Sequence, residues 1–258
     1  MIKDVETISA PRGHAEQSED LLAQQAEELR RSNTDLEMFA SIASHDLQEP
    51  LRTVSSYVQL LERRYASQLD DDAREFIRYA VDGCGRMHTL INDLLTYARV
   101  GTRGKPLEAT DCEAVLTDAL SDLQRSIEDA QATITHDQLP SIPGDRAQLR
   151  QVFINLIGNA VKFRGNKAPR IHVSAEQQEG NWLFCVRDGG IGIAPEYHDR
   201  VFVIFQRLHG RDEYAGTGIG LAVCKKIIER HGGNLWVESQ LGKGCTFYFT
   251  LPAQPVAA

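Results

Sequence analysis

The chain has 258 residues, a formal net charge of −8, 42% hydrophobic residues and 25% charged residues. That is room for one large or two ordinary globular domains, and the acidic balance argues against nucleic acid or an anionic membrane as the main partner, because both recruit cationic patches. Five scattered cysteines (Cys84, Cys112, Cys185, Cys224, Cys245) never form a C-x-x-C and read as core residues of a reducing compartment; no apolar run approaches the ~20 residues of a membrane span, so a cytoplasmic location is expected.

Residues 1–19 lack the apolar core of a signal peptide and read as a tail or upstream linker. From Leu22 the apolar positions step by three and four through Ala26, Leu29, Asn33, Leu36, Ala40, Ala43 and Leu47, a heptad seam on which Asn33 sets register. The step then lengthens through Leu51, Val54, Val58, Leu61 and Tyr65, which alters supercoiling locally. Pro50 lies inside that step and cannot donate to the Asp46 carbonyl, so a bend beside His45 is expected. After the polar turn SQLDDD a second helix carries Ala73, Ile77, Ala80, Cys84, Met87, Ile91, Leu94 and Ala98 on one face. A short turn between long helices makes an antiparallel hairpin over 20–100. One hairpin leaves most of its seam wet, so two are expected to pair as a homodimeric four-helix bundle.

The segment GTRGKP, 101–106, breaks helix and reads as a linker. Beyond it, 107–252 has a mixed pattern. Helices are expected over 112–127, 147–161 and 218–230, the last stopped by Gly232-Gly233. A strand is expected within ATITHDQLP. Two hairpins follow from alternation, 171–175 with 182–186 around EQQEGN and 234–238 with 246–251 around LGKG. Helices on one face of a mixed, mostly antiparallel sheet make this half an α/β sandwich and the whole chain α+β. Residues 253–258 read as a tail.

Four stretches carry possible chemistry. In SHDLQEP, His45 is two residues from both Ala43 and Leu47, about 200° around the helix from the seam, so it should point outward. A solvated histidine reads the same way, but the adjacent carboxylate of Asp46 can orient one ring nitrogen and accept its proton, leaving the other free to attack. In QVFINLIGNAVKF, Asn155, Asn159 and Lys162 share a helix face. Asparagine is a poor choice for a merely solvated stripe; amide oxygens can ligate Mg²⁺ and Lys162 can meet phosphate. In VRDGGIGI, Asp188 ends a strand and the glycines turn the chain tightly, which also describes an ordinary strand-end turn. Gly216-Thr217-Gly218-Ile219-Gly220-Leu221 opens a helix whose N–H groups suit phosphate. No strand leads into it and no G-K-[ST] follows, so it is neither a dinucleotide fingerprint nor a P-loop. The preceding QRLHGRDEYA reads as a mobile lid or a plain surface loop.

Taken in order, SHDLQEPLR (44–52), NLIGNAVKF (155–163), DGGIG (188–192), VFVIFQR (201–207), GTGIGL (216–221) and GKGCTF (242–247) resemble the transmitter module of two-component sensor histidine kinases, most like the phytochrome-type subgroup. The resemblance spans about 20–252. It implies a dimerisation and histidine-phosphotransfer bundle followed by a Bergerat-type ATP-binding domain. It implies His45 as phosphoacceptor, Asp46 as general base and Asn159 as Mg²⁺ ligand with Asn155 beside it. Lys162 would reach the phosphates. Asp188 would read the adenine amino group, with Thr246 nearby through water, and Gly190 and Gly192 would let the nucleotide lie against backbone. Gly216, Thr217, Gly218, Gly220 and Leu221 would hinge the lid and cradle phosphate. Phe202 and Phe205 would anchor the lid's start, and Arg207 would contact the γ-phosphate. The implied activity is ATP-dependent autophosphorylation of His45 and transfer to an aspartate of a response-regulator receiver domain, with input from an upstream sensor domain or protein; a degenerate, non-catalytic scaffold or phosphotransfer module is the alternative. Two positions depart from the family's usual pattern. Residue 189 is Gly where Asn is usual, and residue 49 is Glu where Thr or Asn often stands, which argues against strong phosphatase activity.

Overall fold

The structure, a computed structural model, describes residues 12–101, 106–208, 210, 214 and 216–254; in the first helix, up to residue 45, only some side chains are described. Helices α1 (Arg12–Tyr65) and α2 (Asp71–Arg99) form the hairpin. Helix α1 begins inside the segment expected to be a tail and is continuous through Pro50. The turn is held at both ends. Asp70 caps α2 by accepting from the Ala73 amide at 2.8 Å, and Arg74 donates back to the Ala66 carbonyl at 2.9 Å. Further along the stalk, Gln48 donates to the Asn92 side chain across the pair at 2.8 Å.

The apolar seam is covered on one side only. Cys84, Ile91 and Ala98 are buried within the hairpin, whereas Leu47, Val54, Leu61, Met87 and Leu94 keep between 37% and 54% of their surface exposed. Their side chains lie on the expected seam, so a single hairpin leaves half of it open to water. The seam positions Ala26, Leu29, Asn33, Leu36, Ala40 and Ala43 lie outside the described side chains, as do residues 102–105 of the expected linker.

Among the described residues, the second unit has three α-helices over one five-stranded sheet. Its elements are β1 (Glu108–Asp111), α3 (Cys112–Ala130), β2 (Thr133–His136), β3 (Ser141–Gly144), α4 (Arg146–Lys162), β4 (Arg170–Gln178), β5 (Asn181–Asp188), α5 (Gly220–Arg230), β6 (Leu235–Gln240) and β7 (Gly244–Pro252). The sheet order is β2-β4-β5-β7-β6, with β2 parallel to β4 and the other pairs antiparallel. A separate two-stranded sheet pairs β1 with β3; it was not expected, because its four-residue strands lack alternation and one contains Pro143. Alternation places Phe184 of β5 and Phe249 of β7 inward, stacked at 4.8 Å and met edge-on by Phe153 of α4.

His231 ties the two helices that build the site. Its Nε2 accepts from the Asp145 amide at 2.9 Å and its Nδ1 lies 2.8 Å from the Ile227 carbonyl. An N–H donor on one side and a carbonyl on the other require the neutral ring with the proton on Nδ1. Asp145 in turn caps α4. The start of α4 and the end of α5 are thereby locked together before either reaches the cavity.

Candidate active site

A cavity opens between α4, the end of β5, the inner face of β7 and the chain from Gln206 to Leu221. Of the sequence-derived candidates, Asn159, Lys162, Asp188, Gly192, Arg207, Gly216, Gly218, Gly220 and Leu221 line it; Asn155, Gly190, Thr217 and Thr246 do not.

Asp188 is the fixed polar group of the deep end. Its Oδ1 accepts from the Gly190 amide at 2.8 Å and from the Cys245 amide at 3.2 Å. Burial raises its carboxyl above the usual range, and the two N–H bonds work against that rise. Both bonds end on one oxygen, which leaves the other for a donor such as an amino group. The neighbouring glycines are dictated by the fold itself. A Cβ on Gly190 would stand 2.4 Å from the Phe163 carbonyl oxygen, and one on Gly192, at φ +73°, would stand 2.1 Å from that of Gln240.

Cys245 lines the wall where Thr246 was expected. The reason is strand alternation: Cys245, Phe247, Phe249 and Leu251 are buried, and Thr246, Tyr248 and Thr250 turn to the other face. Thr246 is thus corrected out of the cavity.

Lys162 ends α4 with its ammonium 4.1 Å from the Phe163 ring centroid and close to the glycine loop, since a Cβ on Gly216 would lie 2.8 Å from Nζ. Burial first, and the nearby Arg207 cation second, lower its pKa to about 8. Asn155 lies one turn before Asn159 but serves the frame: its Nδ2 donates to the Gly220 carbonyl at 3.0 Å and its oxygen accepts from Gln151. It fixes where α5 begins.

Arg207 is occupied by the lid. It donates to the carbonyls of Gly216 and Tyr214, each at 2.7 Å, and more weakly to that of Gly210 at 3.3 Å. Tyr214 packs against Phe163 at 4.8 Å. Residues 209, 211–213 and 215 of the lid lie outside the described residues. Of the two expected lid anchors, Phe202 is buried and Phe205 is exposed, with a left-handed φ of +65°.

Thr217 turns away from the cavity. Its hydroxyl donates to Asp93 of α2 at 2.5 Å, a contact the sequence did not signal across 124 residues.

His45 lies on α1, between buried Ser44 and exposed Asp46; its side chain, and so the expected outward direction of the ring, lies outside the described residues. The candidate nucleophile and the cavity therefore belong to different units. Among the described residues no group of three or more His, Cys, Asp or Glu could hold a metal ion, and no helix is long and apolar enough to cross a membrane.

Residues 35–103 match the family described as His Kinase A (phospho-acceptor) domain, and residues 144–255 match Histidine kinase-, DNA gyrase B-, and HSP90-like ATPase. The chain is 58% identical to cyanobacterial phytochrome A of Nostoc sp. over 90% of its own length and 30% of that protein. It is 55% identical to the phytochrome-like protein Cph1 of Synechocystis sp. over 90% of its length and 31% of that protein. It thus spans about a third of the length of these two relatives. Among solved structures, full-length ShkA in complex with AMPPNP is similar, with a TM-score of 0.66 and 29% identity over 86% of this chain and 47% of that one. ThkA, solved with its response regulator TrrA, shares the fold at a TM-score of 0.60 and 21% identity, over 91% of this chain and 67% of that one. A phosphoacceptor hairpin joined to an ATPase-type sheet, with this order of motifs and these relatives, places the chain in the family of histidine-kinase transmitter modules, phytochrome type.

Proposed function

We propose that the chain is an ATP-dependent protein-histidine autokinase acting in two-component signalling, with 20–100 as the dimerising phosphoacceptor part, 101–106 as linker and 107–252 as the ATP-binding part. The observation that carries this is one cavity collecting Asn159, Lys162, Asp188 and the glycine loop, on the same chain as the SHDLQEP helix. The γ-phosphorus of ATP forms a bond to a ring nitrogen of His45 while its bond to the β–γ bridging oxygen breaks, and ADP leaves. Asp46 takes up the ring proton or the positive charge that develops on the imidazole. Lys162 and Arg207 balance charge on the phosphates, and positioning supplies most of the catalysis. The donor set fits Mg²⁺ held through the Asn159 amide oxygen and the substrate's own phosphates, because such sites use few protein ligands; the ion would neutralise phosphate charge.

The phosphoryl group on His45 is then open to attack by an aspartate carboxylate of a response-regulator receiver domain. Homodimerisation through α1 and α2 follows from the half-covered seam, since a second hairpin would bury Leu47, Val54, Met87 and Leu94. Input from an upstream sensor domain or protein belongs to the same reading. The scaffold alternative leans on Gly189, yet a Cβ there would meet nothing within 4 Å and Asp188 keeps both its bonds, so no observation favours it.

Incubation with γ-labelled ATP tests the reading. Wild type should acquire acid-labile, base-stable label; His45→Gln should acquire none while still binding ATP. Asn159→Ala should lose Mg-ATP binding with the stalk still folded. Label persisting on His45→Gln would remove the nucleophile assignment.

A further inference from the structure

The stalk meets the ATP-binding unit along the last two turns of α2. Thr217 donates to Asp93 at 2.5 Å. Lys226 of α5 donates to the Tyr97 carbonyl at 2.9 Å and lies 4.3 Å from the Tyr97 ring centroid. Gln148 of α4 donates to the Val100 carbonyl at 3.1 Å. The last two contacts grip frame helices. The first grips the glycine loop itself: Gly216 and Gly218 line the cavity, and Thr217 between them points outward to the stalk.

The height of this contact on the stalk matters. Gln48 is bonded to Asn92 across the hairpin, which sets those two residues level. His45 lies three residues from Gln48, about 4.5 Å along α1. In an antiparallel pair, Asp93 is displaced from Asn92 in the same direction. Asp93 therefore stands within about one helical turn, measured along the axis, of the phosphoacceptor position. Partial burial raises the Asp93 carboxyl from its ordinary range, with the Thr217 bond opposing the rise.

Building on the assignment of His45 and the cavity made above, we propose that Asp93 is a positioning residue for phosphoryl transfer, which holds Thr217 and so docks the phosphate-binding glycine loop on the stalk near the height of His45. Asp93 touches neither substrate nor the reacting atoms. It acts through the loop, and in-line transfer is sensitive to loop placement at the ångström level. A hydroxyl-to-carboxylate bond suits this task because it is directional, yet it can open when the units separate after transfer.

The test uses the full chain. Single-turnover labelling of His45 at saturating Mg-ATP gives the transfer rate, and equilibrium titration with a fluorescent ATP analogue gives affinity. Asp93→Ala and Thr217→Val should each slow transfer at least tenfold while affinity stays within twofold. The double variant should be no slower than either single one, because both remove the same bond. Asp93→Asn and Thr217→Ser, which keep an acceptor and a donor, should recover to within threefold of wild type. Transfer as fast as or faster than wild type in Asp93→Ala would overturn the proposal, as would a loss of affinity matching the loss of rate, or additive effects in the double variant. Wild type that places no label on His45 would instead overturn the autokinase reading on which the proposal rests.

Discussion

Lys162 should make ATP binding weaken as pH rises through about 8. Its ammonium is held at the edge of the cavity against the Phe163 ring, with burial and the Arg207 cation bringing its pKa to about 8. The lowered value means that the empty site favours the neutral amine more than water does. A triphosphate reverses this by pairing with the ammonium, so binding above pH 8 must take up a proton. The affinity lost to that uptake grows as one plus the ratio of neutral to charged lysine. At pH 7 the ratio is about 0.1 and at pH 9 about 10, so the apparent Kd should rise about tenfold between them. The last ionisation of a terminal phosphate has its pKa at about 6, so it contributes little to the slope. Titration of a fluorescent ATP analogue at pH 7, 8, 9 and 10 measures it. Lys162→Arg should bind with no slope over that range, and Lys162→Met should bind weakly and also without slope. A wild-type affinity that is flat from pH 7 to 9, or a slope that survives in Lys162→Met, would refute the reasoning.

Gly192→Ala should destabilise the ATP-binding unit by about 2–4 kcal/mol, combining a left-handed φ with a Cβ forced against the Gln240 carbonyl; a shift in its unfolding midpoint measures this. Gly189→Asn, which restores the family's usual residue, should change stability by less than about 0.5 kcal/mol, because a Cβ there meets nothing. A double Met87→Glu, Leu94→Glu change should convert the dimer to monomer in sedimentation equilibrium without loss of ATP-analogue binding, since the half-exposed seam carries these residues and the cavity does not.

Much of the site was legible because its residues repeat with the period of the element that carries them. Asn159 and Lys162 reach the cavity together from one helix face, as their spacing required. The same spacing swept in Asn155, whose real task, holding Gly220, depends on a contact 65 residues away. Thr246 was misplaced although the signal was present. In GCTFYFTL the apolar positions are 245, 247, 249 and 251, so strand alternation alone puts Cys245 on the inner wall with Phe247. Arg207 and Thr217 were placed near phosphate by the resemblance alone. Neither type nor spacing reveals that the first is engaged by lid carbonyls and the second by a carboxylate on the stalk.

The placement of Val100 changes how motion between the units must work. Sequence put the flexible joint at 101–106, beginning straight after α2. Val100 is only 3% exposed and belongs to the core of the ATP-binding unit, and its carbonyl is held by Gln148 of α4. The end of the stalk helix is thus planted inside the unit it is supposed to release. Withdrawing a buried valine costs about 1.5–3 kcal/mol, before the Tyr97 and Asp93 contacts are counted. A rigid swing about the linker alone would incur that cost at every turnover. Rotation or tilt of the last turns of α2 avoids it, carrying Val100 along with α4 and α5. On that geometry a twist arriving along the stalk reaches the nucleotide cavity through α4, which bears Gln148 at one end and Asn159 and Lys162 at the other.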